Sequence, residues 1–150
     1  MTDSEWMREA IRLAEAAELA GEVPVGAVVL GPEGELLGRG YNRNRLDLDP
    51  SAHAEIVALR EAGWKAGNYR LVGCSVYATI EPCAMCVGAL IQARVARLVY
   101  GADDPKAGAL HAVPSLAQHP ALNHRFEVVA GVEAEVCGAL VRRFFQTKRG

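Results

Sequence analysis

The sequence predicts an α/β protein, a three-layer α/β/α domain around a mixed five-stranded sheet. Three observations predict it. The buried-strand run Val25-Gly-Ala-Val-Val-Leu30 is joined by the turn Gly31-Pro-Glu-Gly34 to a second extended run, Glu35–Tyr41, which makes an antiparallel hairpin. The order strand, helix, strand between 75 and 100 requires a parallel pair with a right-handed crossover. Apolar residues at helical spacing near both termini supply the outer layers. With 150 residues and 51% hydrophobic content, the chain reads as one domain over residues 1–150.

Taken in order, Thr2-x-x-Glu5 has the form of a capping box. Trp6, Ala10, Leu13, Ala14 and Ala17 repeat at helical spacing until Gly21, which predicts a helix over 3–20. After the hairpin, Asn42 to Pro50 is polar and irregular and leads directly into Ser51-Ala-His-Ala-Glu55. This loop is expected to wall a site. A helix follows over 53–63, ending near Gly63, then a connection over 64–73 and a strand at Ser75–Thr79. Pro82 presets the start of a helix over 83–93 that is apolar nearly all round. A sheet can cover only one side of such a helix, so the other side is expected to meet a second subunit. Arg97–Tyr100 is a fourth strand and 101–125 a long irregular segment. Phe126–Val129 is a fifth strand, and Glu133–Gln146 a final helix with Val136, Leu140 and Phe144 on one face. Of Phe144 and Phe145, at least one is expected in the core.

Composition narrows the function. Met1–Ala10 carries Asp3, Glu5 and Glu9 without a continuous apolar run, so it does not read as a signal peptide. No stretch approaches the ~18 apolar residues of a membrane span. The expectation is a soluble, cytoplasmic protein with no membrane partner. A net charge of −2 excludes a global basic field. Four of the 16 basic residues, Arg142, Arg143, Lys148 and Arg149, nevertheless gather at the C-terminal end without an acid. They either complement a helix dipole or contact RNA. Cys74 and Cys137 read as reduced, small core hydrophobes. His111, His119 and His124 lack partners at ligand spacing and read as ordinary loop histidines.

The chemistry is carried by His53-Ala-Glu55 together with Pro82-Cys-Ala-Met-Cys86. His53, Cys83 and Cys86 supply one imidazole and two thiolates, three good ligands for Zn²⁺. No second Cys-x-x-Cys and no His-x₃₋₅-His is present to close the shell, which is the pattern of a catalytic site with one position left for water. Cys83 and Cys86 are three apart at a helix start, so they share a face near the positive end of the dipole, where a thiolate is favoured. His53 and Glu55 are two apart and would diverge in a regular helix. They converge only at a helix start, and Pro50-Ser51 sits just before them. This order of residues is the signature of the zinc nucleobase deaminases, in which the Glu is the acid/base and not a ligand. A metal of this kind makes water acidic enough to attack at neutral pH, and Glu55 would move its proton to the base and the departing amine. A structural zinc module with RNA-binding but no catalytic role is the competing reading, and the open fourth position and Glu55 weigh against it.

Over nearly the whole chain the sequence resembles the bacterial tRNA-specific adenosine deaminases, within the cytidine-deaminase-like superfamily. The likeness is carried by Glu22-Val-Pro-Val-Gly-Ala27, Tyr41-Asn-Arg43, Asp49-Pro-Ser-Ala-His-Ala-Glu55, Asn68-Tyr-Arg-Leu71, Glu81-Pro-Cys-Ala-Met-Cys86, Tyr100-Gly-Ala-Asp-Asp-Pro-Lys106, His119-Pro-Ala-Leu-Asn-His-Arg125 and Phe144-Phe145. The segments Asn44-Arg-Leu-Asp-Leu48 and Ala109-Leu-His-Ala-Val-Pro-Ser115 depart from the usual family wording. The resemblance implies the cytidine-deaminase-like fold, one Zn²⁺ per subunit on His53, Cys83 and Cys86, and Glu55 as proton shuttle. It implies that Asn42, assisted by the backbone of Ala54, binds the flipped adenine. It further implies a homodimer that meets a tRNA anticodon stem-loop near Asp104, Lys106, Asn123 and the last helix, with Arg142 and Arg143. The implied reaction is adenosine to inosine at the wobble position, typically in an arginine tRNA. The zinc motif alone leaves a free base, guanine or cytosine, as an alternative substrate.

Overall fold

A computed structural model describes residues 1–110 and 124–149. Asn123, His111 and His119, singled out above, lie outside the described residues. Among the described residues the chain forms α1 (Asp3–Leu19), β1 (Gly26–Leu30), β2 (Leu36–Tyr41), α2 (Ala54–Ala66), β3 (Ser75–Ile80), α3 (Ala84–Ala93), β4 (Arg97–Ala102), β5 (Glu127–Val129) and α4 (Ala134–Arg149). The sheet order is β2-β1-β3-β4-β5. β1 pairs antiparallel with both β2 and β3, and β4 runs parallel to β3 and to β5. This is the mixed five-stranded sheet expected from the hairpin and the crossover.

Strand alternation sorts the core into two layers. On one face Val28 and Leu30 of β1 join Met7, Ala10, Ile11 and Ala14 of α1, and Cys137 and Leu140 of α4. On the other, Ala27 and Val29 join Ala54, Ala58 and Ala62 of α2 and Leu90 and Ala93 of α3. Each fully buried Val or Leu contributes about 1.5–3 kcal/mol. The alanines of α2 serve a different end, because they let the helix approach β2 closely. A Cβ at Gly40 would lie 2.5 Å from the Ala54 carbonyl oxygen, and one at Gly38 would overlap that of Ala58. The two glycines therefore set the distance between the sheet and the helix that begins at the site.

The helix ends show where local signals held and where they did not. Thr2 caps α1: its Oγ1 accepts the Glu5 N–H at 3.2 Å and donates to Glu5 Oε1 at 3.3 Å, so the Glu5 carboxylate meets the Thr2 hydroxyl in place of the backbone N–H of a full capping box. The buried stripe of α1 is Met7, Ala10, Ile11, Ala14 and Ala17, so Trp6 and Leu13 flank the core instead of centring on it. α2 continues past Gly63 to Ala66 and stops at Gly67, which takes the left-handed conformation at φ 69°. Gly63 costs helix propensity but keeps helical geometry, whereas Gly67 adopts the cap that ends a helix. On α4 the buried residues are Cys137 and Leu140, and Val136 is exposed. Phe144 is only half-buried and Phe145 exposed, so neither is core, contrary to the sequence expectation. They pack edge to face on each other with centroids 5.4 Å apart. Cys74 and Cys137 are free and buried, as expected.

Candidate active site

His53 is the N-cap residue of α2 and Cys83 the N-cap residue of α3, both with extended backbone. The two helices thus start at one point beside the sheet. There, His53, Cys83 and Cys86 form a group whose ligand atoms all lie within 4.8 Å of one another. His53 Nδ1 is 3.6 Å from each sulfur. Bonds of about 2.0–2.1 Å to nitrogen and about 2.3 Å to sulfur, opened to a tetrahedral angle, span about 3.5 Å. One imidazole and two thiols at this spacing fit a single zinc ion. His53, Cys83 and Cys86 are positioned to bind one metal ion.

The electrostatics of the group follow from shared protons. Hydrogen bonds from Cys86 and from His53 hold the Cys83 thiol down at about 3. Cys86 is pushed up by its bond to Cys83 and by burial, and His53 is raised mainly by its bond to Cys83. Glu55, in the first turn of α2, is 4% exposed. Burial pushes its carboxyl up, and the neighbouring His53 pulls the other way. The start of α2 thus turns His53 and Glu55 to one place despite their two-residue spacing.

The remaining expected residues divide by position. Asn42, 8% exposed, sits where β2 ends, and its Oδ1 accepts the Ala54 N–H at 2.8 Å. The two groups implied to share a base are therefore bonded to each other, and Asn42 holds the start of α2 to the end of β2. Asp104 Oδ1 accepts the N–H groups of Lys106 and Ala107, both at 3.1 Å, so its side chain shapes its own turn. Lys106 is exposed. Arg142 and Arg143 are exposed on α4, and Arg143 pairs with Glu18 of α1 at 2.6 Å. His124 bonds the Val95 carbonyl at 2.7 Å and behaves as an ordinary loop histidine.

Residues 1–102 match the family described as the cytidine and deoxycytidylate deaminase zinc-binding region. The chain belongs to this deaminase family. Within the deaminases, a tRNA-specific adenosine deaminase of Haemophilus influenzae is 44% identical over 147 residues, covering 98% of this chain and 85% of that protein. A solved tRNA:A34 deaminase, studied for A-to-I editing at the wobble position of transfer RNA, superposes with a TM-score of 0.88 at 38% identity. That match covers 91% of this chain and 98% of the other. A guanine deaminase from Nitrosomonas europaea superposes with a TM-score of 0.78 at 27% identity, over 94% and 83% of the two chains.

Reading the sequence missed two deaminase residues that brace the site. Glu22 and Glu81 are both 2% exposed. Glu22 accepts the N–H groups of Arg45 and Leu46, at 3.0 and 2.7 Å. Glu81 accepts those of Asp104 and Leu110, both at 3.0 Å. Each carboxylate thus anchors one loop beside the metal ligands. No spacing rule marks a glutamate that serves distant backbone, although each stands inside a motif quoted above.

Proposed function

We propose that this zinc-dependent deaminase converts adenosine to inosine at the wobble position of a tRNA anticodon, with an arginine tRNA as its substrate. The carrying observation is the buried Glu55 beside the His53, Cys83 and Cys86 cluster, in a chain similar over nearly its full length to tRNA-specific adenosine deaminases. Zn²⁺ on His53, Cys83 and Cys86 supplies the Lewis acidity that makes water a nucleophile near neutral pH. Glu55 takes a proton from the attacking water and passes it to the ring nitrogen. It then helps protonate the amine, which leaves as ammonia while the ring carbon keeps the water's oxygen. Asn42 spends its Oδ1 on Ala54, which leaves the Nδ2 amide to donate to the flipped base. Lys106, Asp104, Asn123, Arg142 and Arg143 meet the stem-loop, with the basic groups on its phosphates.

The homodimer belongs to the same reading. Among the described residues, α3 buries Cys86, Val87, Leu90 and Ile91 but exposes Ala84 and Met85. Beside it, Ile56, Leu59, Trp64, Tyr69, Leu71 and Ala89 line an apolar groove between α2 and α3. Trp64 is 86% and Tyr69 73% exposed, an apolar surface that a second copy would cover. Residues 1–150 are read as one deaminase domain. No helix of the described residues is long and apolar enough to cross a membrane, and a tRNA substrate supports a cytoplasmic site of action.

The guanine deaminase likeness sustains a second reading, deamination of a free base. Zinc-loaded protein should be incubated with an anticodon stem-loop carrying the wobble adenosine and, in parallel, with guanine and cytosine. Inosine in the RNA is expected. Ammonia from a free base with the RNA unchanged would reverse the assignment. Arginine selectivity is read from a panel of stem-loops that differ in anticodon.

A further inference from the structure

We propose that Glu81 is a positioning residue, which holds the 103–110 loop in register with the zinc-ligand segment. For its catalytic readout this rests on the tRNA deaminase reading above. Glu81 stands two residues before Cys83, at the end of β3, and its own N–H donates to the Ala102 carbonyl at 2.8 Å. Its two carboxylate oxygens reach opposite ends of the loop. Oε1 accepts from Asp104 and Oε2 from Leu110. Between these points the loop folds around the carboxylate. Gly108 packs so closely that a Cβ there would overlap the Glu81 carboxylate. The loop is also stitched to the ligand segment, because Ala109 N–H donates to the Pro82 carbonyl at 2.9 Å and Gly108 bridges to Cys83.

The arrangement has one purpose that burial alone would not require. An apolar side chain would fill the space at lower cost, since a buried carboxylate has to find donors. The donors here come from a loop in which the Asp104 side chain shapes the turn and Lys106 is exposed. Glu81 therefore ties the surface offered to RNA to the segment bearing a metal ligand, and contact at Lys106 is registered against the reacting base.

The proposal makes Glu81→Gln informative. Glutamine keeps the size but places an NH₂ against a backbone N–H, so one of the two bonds is lost. In zinc-loaded enzyme, KM for the stem-loop is expected to rise about tenfold with little change in kcat, the scale of one lost hydrogen bond to a charged acceptor. Zinc content should stay at the wild-type level. Amide exchange at Asp104 and Leu110 should quicken while the β3 amides stay protected. Gly108→Ala should act in the same direction, and adding Glu81→Asp, which withdraws the carboxylate by one methylene, should partly restore it. Loss of zinc in parallel with activity, or a fall in kcat with KM unchanged, would show that Glu81 merely supports Cys83 and would overturn the proposal. Unchanged exchange at Asp104 and Leu110 would overturn it as well. A wild-type enzyme that leaves the stem-loop untouched defeats the substrate reading alone, and the exchange rates then decide on the clamp.

Discussion

At the scale of single residues, the proposed chemistry separates holding a metal from moving a proton. His53, Cys83 and Cys86 converge through Nδ1 and two sulfurs, while Glu55 is buried beside them. Glu55→Ala is expected to keep wild-type zinc content, measured by elemental analysis, and to lose at least about 10²-fold in turnover. Cys86→Ala should lose the metal itself, and no added zinc should restore it. Asn42→Ala tests a residue with two jobs. It removes the bond to the Ala54 N–H at the start of α2, a cap whose loss costs about 1 kcal/mol. It also removes the amide proposed to face the base, so activity should fall by more than the drop in Tm explains.

At the scale of elements, the two site helices are placed by what they pack against. α2 lies on Gly38 and Gly40 of β2 with no space for a methyl group. Gly40→Ala is therefore expected to destabilise the protein by about 1–3 kcal/mol in urea unfolding. It should also weaken zinc binding in a chelator competition, because the displaced helix carries His53 and Glu55. On the far side of the sheet, Asp3 of α1 takes a hydrogen bond from Arg97 of β4 at 2.9 Å and one from Tyr77 of β3 at 2.5 Å. The Arg97 guanidinium is the main reason the Asp3 carboxyl sits below its ordinary value, and burial pushes Tyr77 up to about 12. A depressed carboxyl stabilises the fold above its unfolded-state value and stops doing so as pH falls through the folded one. Asp3→Asn should cost about 1 kcal/mol at neutral pH, and the difference should vanish well below the ordinary aspartate value of about 3.9. Unfolding curves of both proteins at a series of pH values check the sign.

At the scale of the whole molecule, the α2 and α3 layer presents Trp64, Tyr69 and Met85 outward, beside the groove between the two helices. If a second copy covers that face, Trp64→Glu should shift the protein from dimer to monomer in sedimentation velocity. A wild-type protein that sediments as a monomer at micromolar concentration would remove the dimer from the proposal.

Much of this molecule is legible in local sequence because its signals are local. The Thr2 cap, the hairpin turn and Pro82 ahead of α3 rest on contacts within a few residues, and the strand-helix-strand order is read from each segment's own pattern. The ligand set is legible for a similar reason, since zinc demands particular atoms at helix starts. What depended on tertiary packing was of another kind. Gly63 continues α2 where Gly67 ends it, and Val136 and Phe145 turn outward though spaced like core. Asn42 meets Ala54 across the loop, and Glu22 and Glu81 spend their carboxylates on backbone 23 to 29 residues away. Sequence by itself determined the fold class and the residues able to hold a metal, because element patterns and ligand chemistry are written in residue types and spacings. Only the folded chain decided which polar groups hold those residues in place, because burying a carboxylate requires donors that any segment of the chain can bring.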